Sequence, residues 1–294
     1  MAWTAAAWRP IRKGAPWPND IQRIADRLAP AMRRRFLAAI SGIQDAASLE
    51  ALTNAVRARD VGQIEQILRV PSAARDFQES AAIVLSAFQQ AGYLTMTQLG
   101  DAIGESIAFN LTNPLSVAWA QQASAGLIAG LQEATRGTIR SLIAEGLQQG
   151  VTAAETARLL RASIGLTDNQ AIAVINYRYD LIDAGRTVDD IARLTARYAR
   201  QLINYRANTI AITETQTSVQ QGQRQAWQQA ADQGYLRRDQ TRRVWVIDPG
   251  ACPICEAMDG QTVGFDEPFL SDGETFDMPP RHPRCQCVVN LEFV

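Results

Sequence analysis

Apolar residues recur every three or four positions over most of the chain, which is the spacing of amphipathic helices. The first such stretch begins at Asp20, and Pro30 within it is expected to end or kink the helix. Shorter helices are expected over 46–58 and 61–69, and a longer one from about Ser72. The first third of the chain is therefore predicted to be helical.

The middle of the chain carries two longer helical patterns. One covers 115–149 and stops at Gly150, a residue type that often ends helices. The other opens after Thr187 and continues to about Asp232, a length of more than about 50 Å at the usual rise per residue. Together they predict a hairpin-like helical body over 115–232.

Polar residues mark the starts and outer faces of these helices. A threonine followed three positions later by an acid or amide predicts a capping box; this pattern occurs at Thr152-x-x-Glu155, Thr167-x-x-Gln170 and, more loosely, Thr187-x-x-Asp190. The last helix is rich in glutamine, which favours a face exposed to solvent or to another subunit (Gln216, Gln220, Gln221, Gln223, Gln225, Gln228 and Gln229).

Beyond Gly234 the helical spacing gives way to alternation. Residues 242–247 alternate as in a strand, with Val244 and Val246 on one side and Arg243, Trp245 and Ile247 on the other. A turn and a polar loop follow, and 287–293 is predicted to be the closing strand. At the other end of the chain, residues 1–18 combine three prolines with three tryptophans. We expect an extended arm there whose rings anchor in grooves of this chain or of a partner: Trp3, Trp8 and Trp17.

The sequence is thus divided into four segments. They are the arm over 1–18, an N-terminal helical region over 19–112, the long-helix body over 113–234 and a C-terminal module over 235–294. No stretch is apolar and long enough to predict a membrane span. The first twenty residues do not follow the pattern of a secretory signal, so a cytoplasmic origin is expected.

The net charge of −1 hides an uneven distribution of charge. Residues 1–43 carry eight basic groups against two acids, and residues 248–294 carry nine acids against two arginines. Two interpretations remain open: the two ends are ordinary solvated faces, or they contact different partners or one another in neighbouring subunits. A run at Arg33, Arg34 and Arg35 is a candidate contact with nucleic acid or with a protein partner.

All four cysteines and the only histidine lie within the last 43 residues. They form the pattern C-P-x-C, 26 further residues, then H-P-x-C-x-C. Thiolate and imidazole are the usual ligands of structural zinc. A bound metal ion adds most to the folding stability of a small module, and this one has about 60 residues and few apolar groups. The candidate ligands are Cys252, Cys255, His282, Cys285 and Cys287.

Five candidates compete for four tetrahedral positions. We favour Cys252, Cys255, Cys285 and His282, with Cys287 in reserve. Disulfides and a catalytic zinc with Glu256 or Asp259 beside it are the alternatives. The predicted fold class is therefore mainly α, with a long-helix body, an extended N-terminal arm and a small C-terminal α+β module stapled by zinc.

The C-terminal motifs resemble those of a known family. Trp245-x-x-Asp248, the two cysteine clusters, the run 258–263 and the run 279–287 are similar to the signature of the tailed-phage head-morphogenesis family, the Mu F-like minor head proteins. The resemblance extends over about 113–290. The chain departs from the family at Ile212, where an arginine is frequent, and at Gln286, which stands between two cysteines in place of arginine.

The resemblance implies a minor virion protein of head morphogenesis. It implies a location inside the capsid at the portal vertex, with the portal or the major capsid protein as partners and several copies in each particle. It also implies contact with DNA during packaging or ejection. The rival hypothesis is a zinc-dependent hydrolase or nuclease delivered with the virion, although no catalytic constellation is apparent in the sequence.

Overall fold

The computed structural model describes residues 20–294, without the side chain of Leu147. Within that range the chain is mainly α-helical and carries a small antiparallel sheet region at its C-terminal end. This confirms the predicted mainly α class. The arm predicted for 1–18, with Trp3, Trp8 and Trp17, lies outside the described residues. None of the described helices is long and apolar enough to cross a membrane.

The first third of the chain is helical, as predicted. Its helices are α1 (Asp20–Ala46), α2 (Leu49–Ala58), α3 (Val61–Ile67), α4 (Ala73–Asp76) and α5 (Gln78–Ile103). Pro30 lies inside α1 and does not end it. The apolar face of α1 is buried on both sides of this proline, at Ile24 and Phe36, so packing outweighs the lost backbone hydrogen bond.

The second third consists of longer helices with capped starts. They are α6 (Pro114–Gln148), α7 (Ala153–Ala162), α8 (Asp168–Asp183) and α9 (Val188–Asp232). Both reciprocal capping boxes form, with Thr152 at the start of α7 and Thr167 at the start of α8. At α9 the Thr187 hydroxyl accepts a bond from the amide of Asp190 at 3.2 Å.

The chain divides into two compact units built from separate stretches. Unit 1 comprises the described residues up to Met32, residues 82–123 and residues 209–294. Unit 2 comprises residues 33–81 and residues 124–208. The four sequence segments predicted above follow chain order and stay a prediction.

In unit 1, the C-terminal module forms two small sheets. The strands are β1 (Thr241–Val246), β2 (Thr262–Gly264), β3 (Phe269–Ser271), β4 (Glu274–Phe276) and β5 (Val288–Phe293), with the short helix α10 (Pro253–Glu256) between β1 and β2. One sheet has the order β2-β1-β5 and the other pairs β3 with β4, all antiparallel. The core continues from Trp245 and Phe269 of this module to Phe88 of α5 and Trp227 of α9.

The glutamine-rich face of α9 differs from its prediction. Gln216 and Gln220 are fully buried, and Gln223 and Gln229 nearly so. The Gln229 amide exchanges hydrogen bonds with the backbone of Asn110. An exposed face was expected because glutamine is polar, but this part of α9 lies inside unit 1, where the amides of Gln216 and Gln229 bond to segments around the helix.

Candidate metal centre

Pairing of β1 with β5 brings the two cysteine clusters together. The strands run antiparallel, and Val246 at the end of β1 lies opposite Val288 at the start of β5. Cys252 and Cys255 follow β1, while Cys285 and Cys287 precede β5. Because the end of one strand meets the start of the other, segments about 30 residues apart in sequence converge at one edge of the sheet.

The first cluster is shaped by a tight turn and one turn of helix. The amide of Ala251 donates to the carbonyl of Asp248, and Cys252 then occupies the position before α10, with Pro253 as its first residue. Proline is suited to that position because its missing N–H would have no partner there. The amide of Cys255 bonds back to the carbonyl of Cys252 at 2.9 Å, so both thiols lie on the same side of the turn.

The second cluster lies on a loop whose backbone folds back on itself. The amide of Cys285 donates to the carbonyl of His282 at 3.1 Å, and Arg284 between them has a φ of 66°. Arg281 ties this loop to the first cluster, since its guanidinium donates to the carbonyl of Ile254 at 2.9 Å.

The five candidate side chains meet in two overlapping groups. Cys252, Cys255 and His282 form one, and Cys255, Cys285 and Cys287 form the other, with the ligand atoms of each group within 4.8 Å of one another. The His282 Nε2 lies 3.2 Å from the Cys252 sulfur and 3.1 Å from the Cys255 sulfur. The Cys255 and Cys285 sulfurs are 3.7 Å apart. All four cysteines are free of disulfides.

The imidazole is oriented so that its Nε2 faces the sulfurs. The Nδ1 of His282 lies 2.9 Å from the carbonyl of Pro283, which can only accept a hydrogen bond. The proton therefore sits on Nδ1, and the lone pair on Nε2 is directed at the thiols. A second hydrogen bond of this kind is the usual way in which a metal-binding histidine is held.

The thiols differ in how readily they ionise. A hydrogen bond from Cys287 lowers the pKa of Cys285 to about 5, and the same bond raises the pKa of Cys287. Burial raises the pKa of Cys255 to about 12, and the charge on Cys285 adds to this effect. A hydrogen bond from the amide of Cys255 lowers the pKa of Cys252. Thiolates this close repel one another, so a cation among them would favour their ionised forms.

The donor set fits a tetrahedral thiophilic ion. Sulfurs about 2.3 Å from a tetrahedral zinc would lie roughly 3.8 Å apart, and a nitrogen would lie roughly 3.6 Å from each sulfur. The measured separation of Cys255 from Cys285 matches the first value, while the distances from His282 are slightly shorter than the second. Cys255 belongs to both groups and is the residue on which any arrangement depends. These groups could therefore bind a metal ion.

Two side chains of α9 brace the ligand loop and were missed in the sequence. The Gln216 amide donates to the carbonyl of Cys287 at 2.7 Å, and the Thr213 hydroxyl accepts from the amide of Arg284 at 3.0 Å. The resemblance over about 113–290 includes Thr213 but does not predict what it contacts. Gln216 had been assigned to an exposed face, and periodicity alone gives no signal for a contact 71 residues away.

The carboxylates that a hydrolase would require lie outside these groups. Glu256 and Asp259 are both exposed, and neither belongs to a metal-ligand group among residues 20–294.

The arginine run of α1 lies in unit 2, and its three side chains have different contacts. Arg35 pairs with Glu79 at 3.0 Å, whereas Arg33 donates to the side chain of Asn204 on α9 at 2.6 Å. Arg34 is exposed and makes no ion pair within the described part of the chain. Only two of the three guanidinium groups are therefore available to a partner as a charged surface.

Comparison with known proteins gives one match. No curated protein and no solved structure matches the chain significantly. The profile of the family described as "Phage Mu protein F like protein" matches residues 137–290, more than half of the chain, from within α6 to β5. That range includes α9 with its two bracing residues and every candidate ligand. The chain therefore belongs to the Phage Mu protein F like family, whose role is in phage head morphogenesis and whose place is the virion.

Proposed function

We propose that this protein is a minor structural component of the phage head that acts at the portal vertex, on the inner side of the capsid. In this proposal the C-terminal module is a rigid docking element, held in shape by one zinc ion. The convergence of four thiols and one imidazole against α9 carries the proposal. Such a thiolate-rich set closes the coordination sphere, which suits a structural ion better than a catalytic one.

The ion is held, in this proposal, by Cys252, Cys255, His282 and Cys285, with Cys287 as a neighbour that can replace one of them. Zinc fits because thiolate and imidazole together select it among common divalent ions. In small zinc modules the ion contributes about 10–16 kcal/mol to folding at neutral pH. The same loop would otherwise depend on few apolar contacts, since much of 272–284 is exposed.

Elemental analysis of the reduced, folded protein tests the metal. We expect one equivalent of zinc, lost in Cys255→Ser because that residue belongs to both groups. His282→Gln and Cys287→Ser identify the fourth ligand, since the replacement that leaves the zinc content unchanged removes the surplus residue. Helical circular dichroism of each variant shows whether α9 is still folded. Folded protein without metal would refute this part of the proposal.

Association with the portal is tested with the portal and major capsid proteins of the same phage. We expect the full chain to co-sediment with the portal, and Cys255→Ser to do so more weakly because its docking element has lost its shape. Glu274→Gln, an exposed change in β4, is the matched control and should bind normally. Quantitative mass spectrometry of intact particles then gives the copy number. Absence from particles would refute the location.

Contact with DNA is the second part of the proposal, and an arginine surface in unit 2 favours it. Residues 33–44 of α1 and 191–208 of α9 contain seven arginines and no acid. The fold sets them side by side, since Arg33 bonds to Asn204, whose amide donates to the carbonyl of Arg200 at 2.8 Å.

Four guanidinium groups on this surface are free of ion pairs within residues 20–294. Arg35 and Arg193 are neutralised by Glu79 and Asp190. Arg206 is withdrawn from the surface, where burial lowers its pKa to about 10 and its guanidinium binds the carbonyl of Gly165. A cluster of unpaired positive charges favours a uniformly charged partner such as a phosphate backbone. The four residues are Arg33, Arg34, Arg197 and Arg200.

Fluorescence anisotropy with duplex DNA at a series of salt concentrations tests this contact. We expect affinity to fall steeply with salt, and the triple variant of Arg34, Arg197 and Arg200 to glutamine to lower the slope by about 2–3 units. A second triple variant to glutamine, at Arg57, Arg158 and Arg186, removes the same charge from exposed positions outside 33–44 and 191–208 and should leave the slope unchanged. Equal effects of the two variants would contradict a defined surface.

A further inference from the structure

A groove lies between α2 and α7, within unit 2. Its volume is about 250 Å³, and residues of both helices line it. The groove lies beside the contact between the two helices and is far from the metal ligands in sequence. Neither the head-assembly role nor the metal centre accounts for it.

Two arginines lie on the rim of this groove without a carboxylate partner. Arg57 of α2 and Arg158 of α7 both line it and are exposed. The Arg57 guanidinium donates to the side-chain oxygen of Asn54 at 3.0 Å. Within residues 20–294, neither guanidinium lies in an ion pair. Two positive charges from separate helices therefore face one concave space.

Glu155, the acid of α7 that is nearest to Arg158 in sequence, is paired with a different arginine. Glu155 lies one turn before Arg158, a spacing at which the two could pair. Instead its carboxylate bonds to Arg178 and closes the Thr152 capping box. Burial acts to raise the pKa of Glu155, but the Thr152 hydrogen bond and the Arg178 charge outweigh it and hold the pKa below its usual value. Glu155 thus stays ionised and bound to Arg178, and Arg158 remains available.

The floor of the groove is less polar than its rim. Leu49, Thr53 and Ala154 line it and are partly buried. The Thr53 hydroxyl donates to the carbonyl of Leu49 within α2. One carboxylate, Glu50, also lines the space and is exposed. The groove thus combines an apolar base, two guanidinium forks and one negative charge.

We propose that this groove binds a carboxylate carried on a short aliphatic stem, as presented by a glutamate side chain of a protein partner. The two guanidinium groups would each donate to the carboxylate, a geometry that arginine is suited to form. The stem would lie on the apolar floor. Two arginines and Glu50 give the lining a net charge of +1, which a single carboxylate neutralises.

Titration of the full-length protein with butyrate, which carries one carboxylate on a three-carbon stem, tests the groove. Acetate has the same charge and only a methyl group, and it is the comparison anion. The signals of the arginine Nε–H groups in nuclear magnetic resonance spectra report binding residue by residue. We expect the signals of Arg57 and Arg158 to shift with butyrate. Arg57→Gln or Arg158→Gln should weaken binding by about tenfold or more, the loss expected for one charge-assisted bond. Arg158→Lys, which keeps the charge but loses the fork, should weaken it less.

Two further variants make the test specific. Arg186→Gln removes an exposed arginine that does not line the groove, and it should bind butyrate as the unmodified protein does. Glu50→Gln should strengthen the binding of butyrate and acetate by a similar factor, because the two anions have the same charge. The proposal is overturned if Arg186→Gln and Arg158→Gln weaken binding equally, if butyrate shifts neither groove arginine, or if acetate binds to the unmodified protein as tightly as butyrate. None of these outcomes depends on metal or on portal association.

Discussion

At the scale of single residues, buried charge shapes the module that carries the metal ligands. Arg243 on β1 is fully buried, donates to the carboxylate of Asp277 at 2.8 Å and lies over the ring of Phe269. The second terminal nitrogen of its guanidinium donates to the carbonyl of Glu267. Arg224 of α9 reaches the same Asp277 at 3.2 Å. One carboxylate thus links the strand, the helix and the loop that leads to His282.

Glu214 of α9 is a partly buried acid that has no such partner within residues 20–294, and its replacement should stabilise the protein. Burial raises the pKa of Glu214 on α9, and no cation counters the effect within residues 20–294. The arginine that family members often carry two positions earlier is Ile212 here. Because the pKa is higher in the folded than in the unfolded state, the ionised carboxylate destabilises the fold. This penalty appears as pH rises above the unfolded value and is complete above the folded one.

We therefore expect Glu214→Gln to raise the midpoint of thermal unfolding at pH 7 and to have a smaller effect at pH 4, where the carboxyl group takes up a proton. Differential scanning calorimetry at both pH values measures this difference. Glu274→Gln changes an exposed acid of unit 1 and should shift neither midpoint noticeably. A loss of stability in Glu214→Gln at pH 7 would mean that the carboxylate has a favourable partner.

At the scale of elements, unit 1 depends on close approach between α5 and α9. Gly222 of α9 faces the backbone of α5, where an added Cβ would lie 2.2 Å from the carbonyl oxygen of Phe88. No side chain can move to relieve a clash with a backbone atom, so the two helices would have to separate. The ends of the helices do not depend on such long-range packing, because local caps such as those of α7 and α8 form from nearby residues.

Gly222→Ala should therefore lower the free energy of unfolding by about 1–3 kcal/mol or more, as overpacking does in other cores. Gly126→Ala in α6 is the matched control. It lies in open space on a helix, and the same change there should raise stability by about 0.5–1 kcal/mol. Chemical denaturation of both variants gives the two values. If Gly222→Ala were neutral, the packing of α5 against α9 would be looser than the structure indicates.

At the scale of the whole molecule, the C-terminal module shares its core with the helices. Trp227 and Ala230 of α9 and Phe88 of α5 belong to the same buried cluster as Trp245 and Phe269 of the module. Removing the module would expose one side of this cluster, and a contiguous exposed apolar surface promotes association between molecules.

A chain that ends at Gln233 should therefore bind the dye ANS strongly and aggregate, although its helices persist. Size-exclusion chromatography and fluorescence measure this, and the full-length chain is the control. Hydrogen exchange should show faster opening of α5 and of the last turns of α9 than of α7 and α8 in unit 2. A monomeric truncated chain with unchanged exchange would mean that the helices form their core alone.

The sequence by itself determined the features that depend on neighbours along the chain. Periodicity located α2, α3, α6 and α9, and the Thr152 and Thr167 motifs located two helix starts, because caps and amphipathic faces are set within a few residues. The cysteine spacing marked the candidate ligands, since the residue types alone limit the chemistry.

Only the tertiary structure decided the features that depend on contacts distant in sequence. It buried Gln216 and Arg243, continued α1 through Pro30, and set Arg200 beside Arg33. A polar residue can be buried when a backbone carbonyl from a distant segment meets it, and no local pattern records where that carbonyl will be. The physical reason is that a side chain's environment is set by all the elements that pack around it, whereas its helical or extended state is set largely by its own neighbours.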